Sequence, residues 1–452
     1  MTPQELAELE RYEAVVDYVD REVVRLTPRR RDPAGKVAAA LAFNAALGDP
    51  QRAYPSIQVA GTSGKGSVSA LLSEALHAAG LRTGLHVSPY LQSFSEKTWI
   101  AGRYASPTQL SEALALVRKE TECYRADPDC PASVHGLTSL AVSYQAFARA
   151  GIEVAVMETG CGGRFDLVQG LRKALCVITD LALDHQQALG ETLNEIAWHK
   201  AGILAPGVPA VALTGPGKIV VAAEAARIGA KLEVARLEDL VESERSLRFP
   251  ALGQVSLPRA ASGFELRYLA LAGLALDALR RAGWAVSASH LQAAAEAPPL
   301  PGRLEQVQAT PRVVLDGAHN PHKLEGCLRA LMGPPPGAGR LHVLLGASGL
   351  RPPEDLIAAL APWRPKVTAT RLELYGKRTV PSSDLARVAA AAGLSAIAIE
   401  PPEAALDAAL ADVAPGELLL VTGSIYLVGR LRDRWIPRER VILSGSSGAR
   451  RH

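Results

Sequence analysis

Residues 59–76 read "VAGTSGKGSVSALLSEAL" and pack three glycines, a lysine and two small hydroxyl residues into Gly61–Gly66, directly ahead of a run with helical periodicity. Upstream, "SIQVAG" is the kind of apolar run that a strand buried on both faces requires. The stretch therefore reads as strand, glycine turn, helix. At such a junction backbone N–H groups and a helix N-terminus together cradle phosphates.

The turn resembles a Walker A loop with one extra glycine, Gly66, between the lysine and the hydroxyl of Ser67. A glycine-rich turn can also be no more than a tight strand-to-helix connection. The lysine in it asks for an anionic partner, which makes Thr62, Ser63, Gly64, Lys65, Gly66 and Ser67 candidate phosphate-binding residues.

Outward from this stretch, apolar runs ("RTGLHVS", "EVAVMET", "CVITDLAL", "PAVAL") alternate with Ala/Leu-rich helical ones ("GLTSLAVSYQAFARAG", "TLNEIAWHKAG"). That alternation predicts an α/β fold with a mostly parallel sheet. "EAPPLPGRLEQV" breaks the pattern with three prolines and a glycine, and a second, smaller α/β series follows from "RVVLDGAHN" to "ELLLVTGS". The reading is a first domain over 1–297, a second over 298–438 and a disordered tail over 439–452. Two domains also suit 452 residues, since single cores stop growing near ~250 to 300.

Composition narrows the function. The chain is 48% hydrophobic and 21% charged with a formal net charge of +3, so no strongly basic surface points to nucleic acid. Five cysteines with no CxxC pair argue against a disulfide framework or a zinc site. The acidic, amphipathic start is not a signal peptide, and no run of about 18 uncharged apolar residues offers a membrane span. The expectation is a cytoplasmic monomer that meets neither membrane nor nucleic acid.

Two later stretches supply what a nucleotide site needs. "IEVAVMETGCGGRFD" puts Glu158 where a buried strand runs into a glycine turn, a point at which one carboxylate with water and phosphate suits Mg²⁺. "CVITDLALDHQQALGETLNEIAWHKAGI" delivers Asp184 and His185 after another strand. In the same stretch Thr192 and Glu195 form a capping box that leaves Lys200 in the last turn of its helix. A cation there is also favoured by the helix dipole alone, by ~0.3 to 1 kcal/mol.

Taken together, "GTSGKGS", "SPYLQSFSE", "METGCGGRFD", "LDHQQALGETLNEIAWHKAGILAPGVP", "PGRLE", "LDGAHNP" and "GSIYLVG" resemble the folylpolyglutamate synthase/dihydrofolate synthase family of the Mur ligase superfamily. The matches run in family order from about residue 35 to 435. The resemblance implies a P-loop-type N-terminal ATP-binding domain and a Rossmann-like C-terminal one. It also implies a reaction in which ATP phosphorylates a carboxylate and the amine of L-glutamate attacks the acyl phosphate. ADP, phosphate and an amide result, with a folate or dihydropteroate as the acid. The alternatives are a Mur-type ligase for another acid and amino acid, or a nucleotide-binding paralogue without catalysis.

Carried over residue by residue, the resemblance gives Lys65 and its neighbouring amides the phosphates. Ser88 and Glu158 would hold one Mg²⁺ and His185 a second, with Lys200 carbamylated as a further oxygen ligand. Lys65, His185 and Lys200 thereby become the catalytic candidates. Arg303, Asp316 and His319 would serve the nucleotide from the second domain, and Arg164, Phe165 and Asp166 the acid. Departures gather at the substrate side. "VSPY" stands for "TSPH", Glu96-Lys97 for "ER", His135-Gly136 for "FE" and "DLVQ" (166–169) for "DATN". The asparagine expected near Leu269 is missing, and "GLRPPED" replaces "DKD".

Overall fold

The computed structural model describes residues 1–23, 32–261, 263–335, 340–349, 351–372 and 378–448. They form two compact units. The first comprises Met1–Tyr90, Phe94–Pro298 and Ile442–Ser446, the second Leu91–Ser93, Pro299–Val441 and the residues from Ser447 on.

Continuous apolar runs build the centre of the first unit. Its sheet has eight strands: β1 (Pro55–Ala60), β2 (Thr83–His86), β3 (Thr98–Ile100), β4 (Arg103–Tyr104), β5 (Val154–Glu158), β6 (Arg172–Ile178), β7 (Pro209–Leu213) and β8 (Lys231–Ala235). The order is β4-β3-β2-β5-β1-β6-β7-β8. From β2 to β8 neighbouring strands pair parallel, and β3 and β4 add an antiparallel edge. On one face Ile57, Val59, Val156 and Val177, all fully buried, pack with Leu72 and Leu76 of helix Lys65–Ala78 and with Leu274 of helix Gly263–Arg281. On the other, Ala60 and Ile178 pack with Ala197, Ala201 and Val221. Each such large aliphatic side chain withdrawn from water contributes about 1.5–3 kcal/mol, which fixes the strand ends that carry the site.

An antiparallel meander, β9 (Val241–Ser243), β10 (Ser246–Phe249) and β11 (Gly253–Ser256), stands apart from that sheet. The second unit has β12 (Glu305–Gln308), β13 (Arg312–Leu315), β14 (Leu341–Leu345), β15 (Lys366–Ala369), β16 (Ala396–Ala398) and β17 (Leu418–Thr422), in the order β12-β13-β17-β14-β15-β16. All its pairs are parallel except β12 with β13. Val343, Leu345 and Leu420 anchor its core together with Leu324 of helix Pro321–Met332.

The tail expected from residue 439 is corrected. Arg438–Ser444 is a helix, and Val441 and Ile442 on it are buried. These apolar residues find cover that the Ser, Gly and Arg around them obscures in the sequence. Residues 449–452 lie outside the described residues, as do Leu350 of "GLRPPED" and the end of "KVTATRLEL". Among the described residues no helix is long and apolar enough to cross a membrane, and all five cysteines are free thiols.

Candidate active site

Three strand ends in the first unit lie side by side. In the ladder Val59 of β1 sits opposite Glu158 of β5 on one flank and opposite Val177 of β6 on the other. The glycine turn leaving β1, the Glu158 carboxylate ending β5 and Thr179-Asp180 following β6 therefore share one edge. The carboxyl ends of parallel strands are where open α/β sheets take ligands.

The turn is locked by contacts on both sides. A Cβ at Gly61 would lie 1.8 Å from Thr179 Oγ1, and one at Gly64 would lie 2.2 Å from a ring carbon of Tyr268. Gly64 also has a φ of 82°, a left-handed conformation that an L side chain resists. The Thr62 and Ser63 N–H groups donate to Asp180 C=O at 2.8 and 3.3 Å, and Thr179 Oγ1 donates to Ser63 C=O at 2.7 Å. Thr62 Oγ1 donates to Ala182 C=O at 3.1 Å. These bonds engage the first half of the turn. In helix Lys65–Ala78 the first closing bond is Val68 N–H to Gly64 C=O at 2.9 Å, so the Lys65, Gly66 and Ser67 amides precede it at the helix N-terminus.

Two lysines meet at one carbonyl. Lys65 Nζ donates to Gly61 C=O at 3.1 Å, and Lys200 Nζ donates to the same oxygen at 2.8 Å. Lys200 is 2% exposed, in the last turn of helix Leu193–Ala201, whose start is closed by the Thr192/Glu195 capping box. Next to them burial pushes the Cys161 thiol up, with Lys200 and Lys65 among the cations opposing the rise. On the other flank Ser88 N–H donates to Glu158 Oε2 at 3.0 Å, and Glu158 is buried. His185 is exposed, with a φ of 52°, and its N–H donates to the buried Asp184 carboxylate at 3.0 Å. Among the described residues no group of three or more His, Cys, Asp and Glu side chains is gathered to hold a metal ion.

Arg164, Phe165 and Asp166 are built into the turn after Glu158. The Arg164 guanidinium lies 3.9 Å from the Trp198 ring centroid and donates to Glu224 Oε2 at 2.5 Å. Phe165 packs against Trp198 and His199, and the buried Asp166 carboxylate accepts from Val168 N–H at 3.0 Å.

The second unit brings its own candidates to one turn. Asp316 Oδ2 accepts from Leu304 N–H and Oδ1 from Ala318 N–H, each at 2.8 Å, which ties "PGRLE" to "LDGAHNP". Burial holds the Asp316 carboxyl above its usual range, opposed by Arg303 and by those two amides. His319 Nδ1 lies 2.9 Å from Gly317 C=O and its Nε2 3.2 Å from Lys323 Nζ, which suits a ring donating at Nδ1 and accepting at Nε2. Two residues along the chain from Arg303, Glu305 accepts from Gly302 N–H at 2.9 Å and pairs with the fully buried Arg432 at 2.7 Å.

Several of these residues have no counterpart in the sequence reading: Asp180, Thr179, Tyr268, Lys323, Glu305 and Arg432. A buried arginine could be suspected only from its apolar neighbours in "YLVGRLRDRW". Nothing in the sequence names its partner 127 residues away.

Residues 302–425 match the family model described as Mur ligase, glutamate ligase domain. The folylpolyglutamate synthase of Lacticaseibacillus casei is 30% identical over 417 residues, spanning 86% of this chain and 91% of that protein. The dihydrofolate synthase/folylpolyglutamate synthase of Bacillus subtilis is 30% identical over 407 residues, 86% of this chain and 92% of that one. Mycobacterium tuberculosis folylpolyglutamate synthase complexed with ADP superposes with a TM-score of 0.80 at 28% identity, covering 95% of this chain and 99% of that chain. Similarity of this extent runs through both units, and the chain belongs to the folylpolyglutamate synthase/dihydrofolate synthase family of ATP-dependent glutamate ligases.

Proposed function

We propose that this chain joins L-glutamate to the carboxylate of a folate-type acid, dihydropteroate, a tetrahydrofolate or both, through an acyl phosphate made with ATP. The observation that carries the site assignment is the shared strand-end edge, where Lys65, Lys200 and Glu158 surround the glycine turn.

In this reading the helix-start amides of Lys65, Gly66 and Ser67, with the Lys65 ammonium, hold the β- and γ-phosphates. Preorganised donors of this kind stabilise the charge that moves during phosphoryl transfer. Thr62, Ser63 and Gly64 shape the turn that presents them. The residues fit a divalent cation: Glu158 is a buried carboxylate with one oxygen braced by an amide, and Mg²⁺ asks for one or two protein oxygens beside water and phosphate. Glu158 and Ser88 would hold one ion, and His185 and a carbamylated Lys200 a second; bound there, Mg²⁺ would neutralise phosphate charge. A carbamate keeps one N–H, so Lys200 could retain its bond to Gly61. Arg303, Asp316 and His319 are assigned to the nucleotide, and Arg164, Phe165 and Asp166 act on the acid through the turn they fix. A cytoplasmic monomer fits this chemistry.

A substrate panel followed by ADP release tests the reading. Release should require acid and amine together, with glutamate the best amine and dihydropteroate or tetrahydrofolate the best acids. Equal ADP release with water alone would make the chain a simple nucleotide hydrolase and overturn the proposal.

A further inference from the structure

Lys218 opens helix Lys218–Ile228 and is only 6% exposed. Its Nζ donates to C=O of Ile178, the last residue of β6, at 3.1 Å and to C=O of Thr179, the one after it, at 2.6 Å. The glycine turn rests on this short segment. Thr179 N–H extends the ladder to Ala60 C=O at 2.8 Å, its hydroxyl holds Ser63 C=O, and Asp180 C=O receives the Thr62 and Ser63 amides. The Asp180 carboxylate is in turn gripped by Arg267, Nη2 to Oδ1 at 2.7 Å and Nε to Oδ1 at 3.0 Å. One cation thus secures the backbone of the platform and another its side chain.

Burying an ammonium against neutral carbonyls is costly, whereas an apolar side chain of equal length would pack there without that cost. A titratable amine in that position therefore needs a reason. We propose that Lys218 is a positioning residue: by clamping the Ile178 and Thr179 carbonyls it holds the Thr62–Ser63 arm of the glycine turn in the register that ATP binding requires. The inference rests on the assignment of the turn to phosphate made above. Burial pushes the Lys218 amine down to about 7 against the pull of Asp180, with Arg267 adding to the depression. The neutral amine still carries two N–H donors, so the clamp persists through the titration.

The test measures KM for ATP and for glutamate in Lys218→Met, Lys218→Gln, Thr179→Val and the double variant Lys218→Met/Thr179→Val. Lys218→Met should raise KM for ATP on the order of 10-fold, the loss expected of one to two hydrogen bonds, with KM for glutamate within about 2-fold. Lys218→Gln, which keeps a donor, should recover most of the loss. Thr179→Val should behave like Lys218→Met, and the double variant should be no worse than the poorer single, because both act through one segment. A residue that merely stabilises the fold would lower the active fraction and leave KM for ATP unchanged; that result, or fully multiplicative effects in the double variant, overturns the proposal. Should Lys218→Met not fold, near-normal KM in Lys218→Gln with raised KM in Thr179→Val supports it, and any other pattern overturns it. Lys65→Ala keeps the two readings apart. If that variant still turns over normally the phosphate assignment fails; if it is inactive while Lys218→Met binds ATP normally, only the clamp fails.

Discussion

Two strand-turn-helix units of the first sheet end in the same dipeptide and use it differently. Gly61-Thr62-Ser63-Gly64 joins β1 to a helix opening on Lys65, and Thr214-Gly215-Pro216-Gly217 joins β7 to a helix opening on Lys218. Both turns have four residues, and both place a left-handed glycine before the lysine, with φ of 82° and 74°. In the first the ammonium folds back onto its own turn, to Gly61 C=O, and the residue stays half-buried. In the second it reaches sideways to the end of β6 and is buried. Identical local rules thus deliver a cation either to its own turn or to the end of the adjacent strand. The neighbouring strand decides which.

The sharpest way to break the comparison is Lys65→Ala. On the proposed assignment it removes a charge-assisted contact to phosphate, so turnover should fall at least ~100-fold while circular dichroism stays unchanged. Near-normal turnover would put Lys65 in the same structural class as Lys218.

Lys200 comes next, because it shares the Gly61 carbonyl with Lys65. Lys200→Ala should cost at least the roughly 10- to 100-fold lost when a group that merely orients a metal ligand is removed, because on the proposed reading Lys200 is itself a ligand. Lys200→Arg should not restore it, since a guanidinium keeps the charge and cannot form a carbamate. Mass spectrometry of the intact protein in bicarbonate should show the added CO₂. Full activity of Lys200→Arg would leave a helix-end cation with no further role.

How much of this could be read beforehand depends on what each feature rests on. Strands β1, β5 and β7 were legible because nearly every residue in them is buried, so the apolar run is unbroken. Strand β8 and the β9–β11 meander were not, since each sets polar or charged residues among its few apolar ones. In the site, Lys65 stood out through its glycine turn, whereas Glu158 and Lys200 drew their proposed roles from the family resemblance, since a strand-end carboxylate and a helix-end cation are each ordinary on local grounds. What the sequence could not supply was the use of the Thr62 and Ser63 amides by Asp180, or the Glu305–Arg432 pair, because those partners are fixed only once distant strands align. Lys218 carries no signal in the sequence for the same reason, its partners being the carbonyls at the end of β6.

The third experiment exploits the burial of Lys218. Its amine titrates near 7 when folded and near 10.4 when the chain is unfolded, so between those values the unfolded state binds the additional proton. Stability from this group therefore rises with pH across that window and is at its minimum below 7, where the ammonium is buried charged. Urea unfolding at pH 7 to 9.5 should show the wild type gaining on Lys218→Met by at most about 1.4 kcal/mol per pH unit. A constant difference would mean that the amine is solvated.

The smallest expected effect separates the two glycines themselves. Alanine at either position must adopt a left-handed φ, which costs roughly 1–2 kcal/mol. At Gly217 little is added: the new Cβ would come no closer than 3.0 Å to Leu181 Cδ1 and 3.2 Å to Ala197 Cβ, side-chain atoms that can give by a few tenths of an ångström. At Gly64 the Cβ would enter the Tyr268 ring at 2.2 Å, and that ring is stacked on Phe264 with an interplanar angle of 13°. The turn or the ring must then move. Gly217→Ala should accordingly lower stability by about 1–2 kcal/mol with KM for ATP nearly unchanged. Gly64→Ala should match or exceed that loss of stability and raise KM for ATP as well. Equal KM values in the two variants would mean that the geometry of the first turn matters no more to the nucleotide than that of the second, and the distinction drawn between them would fall.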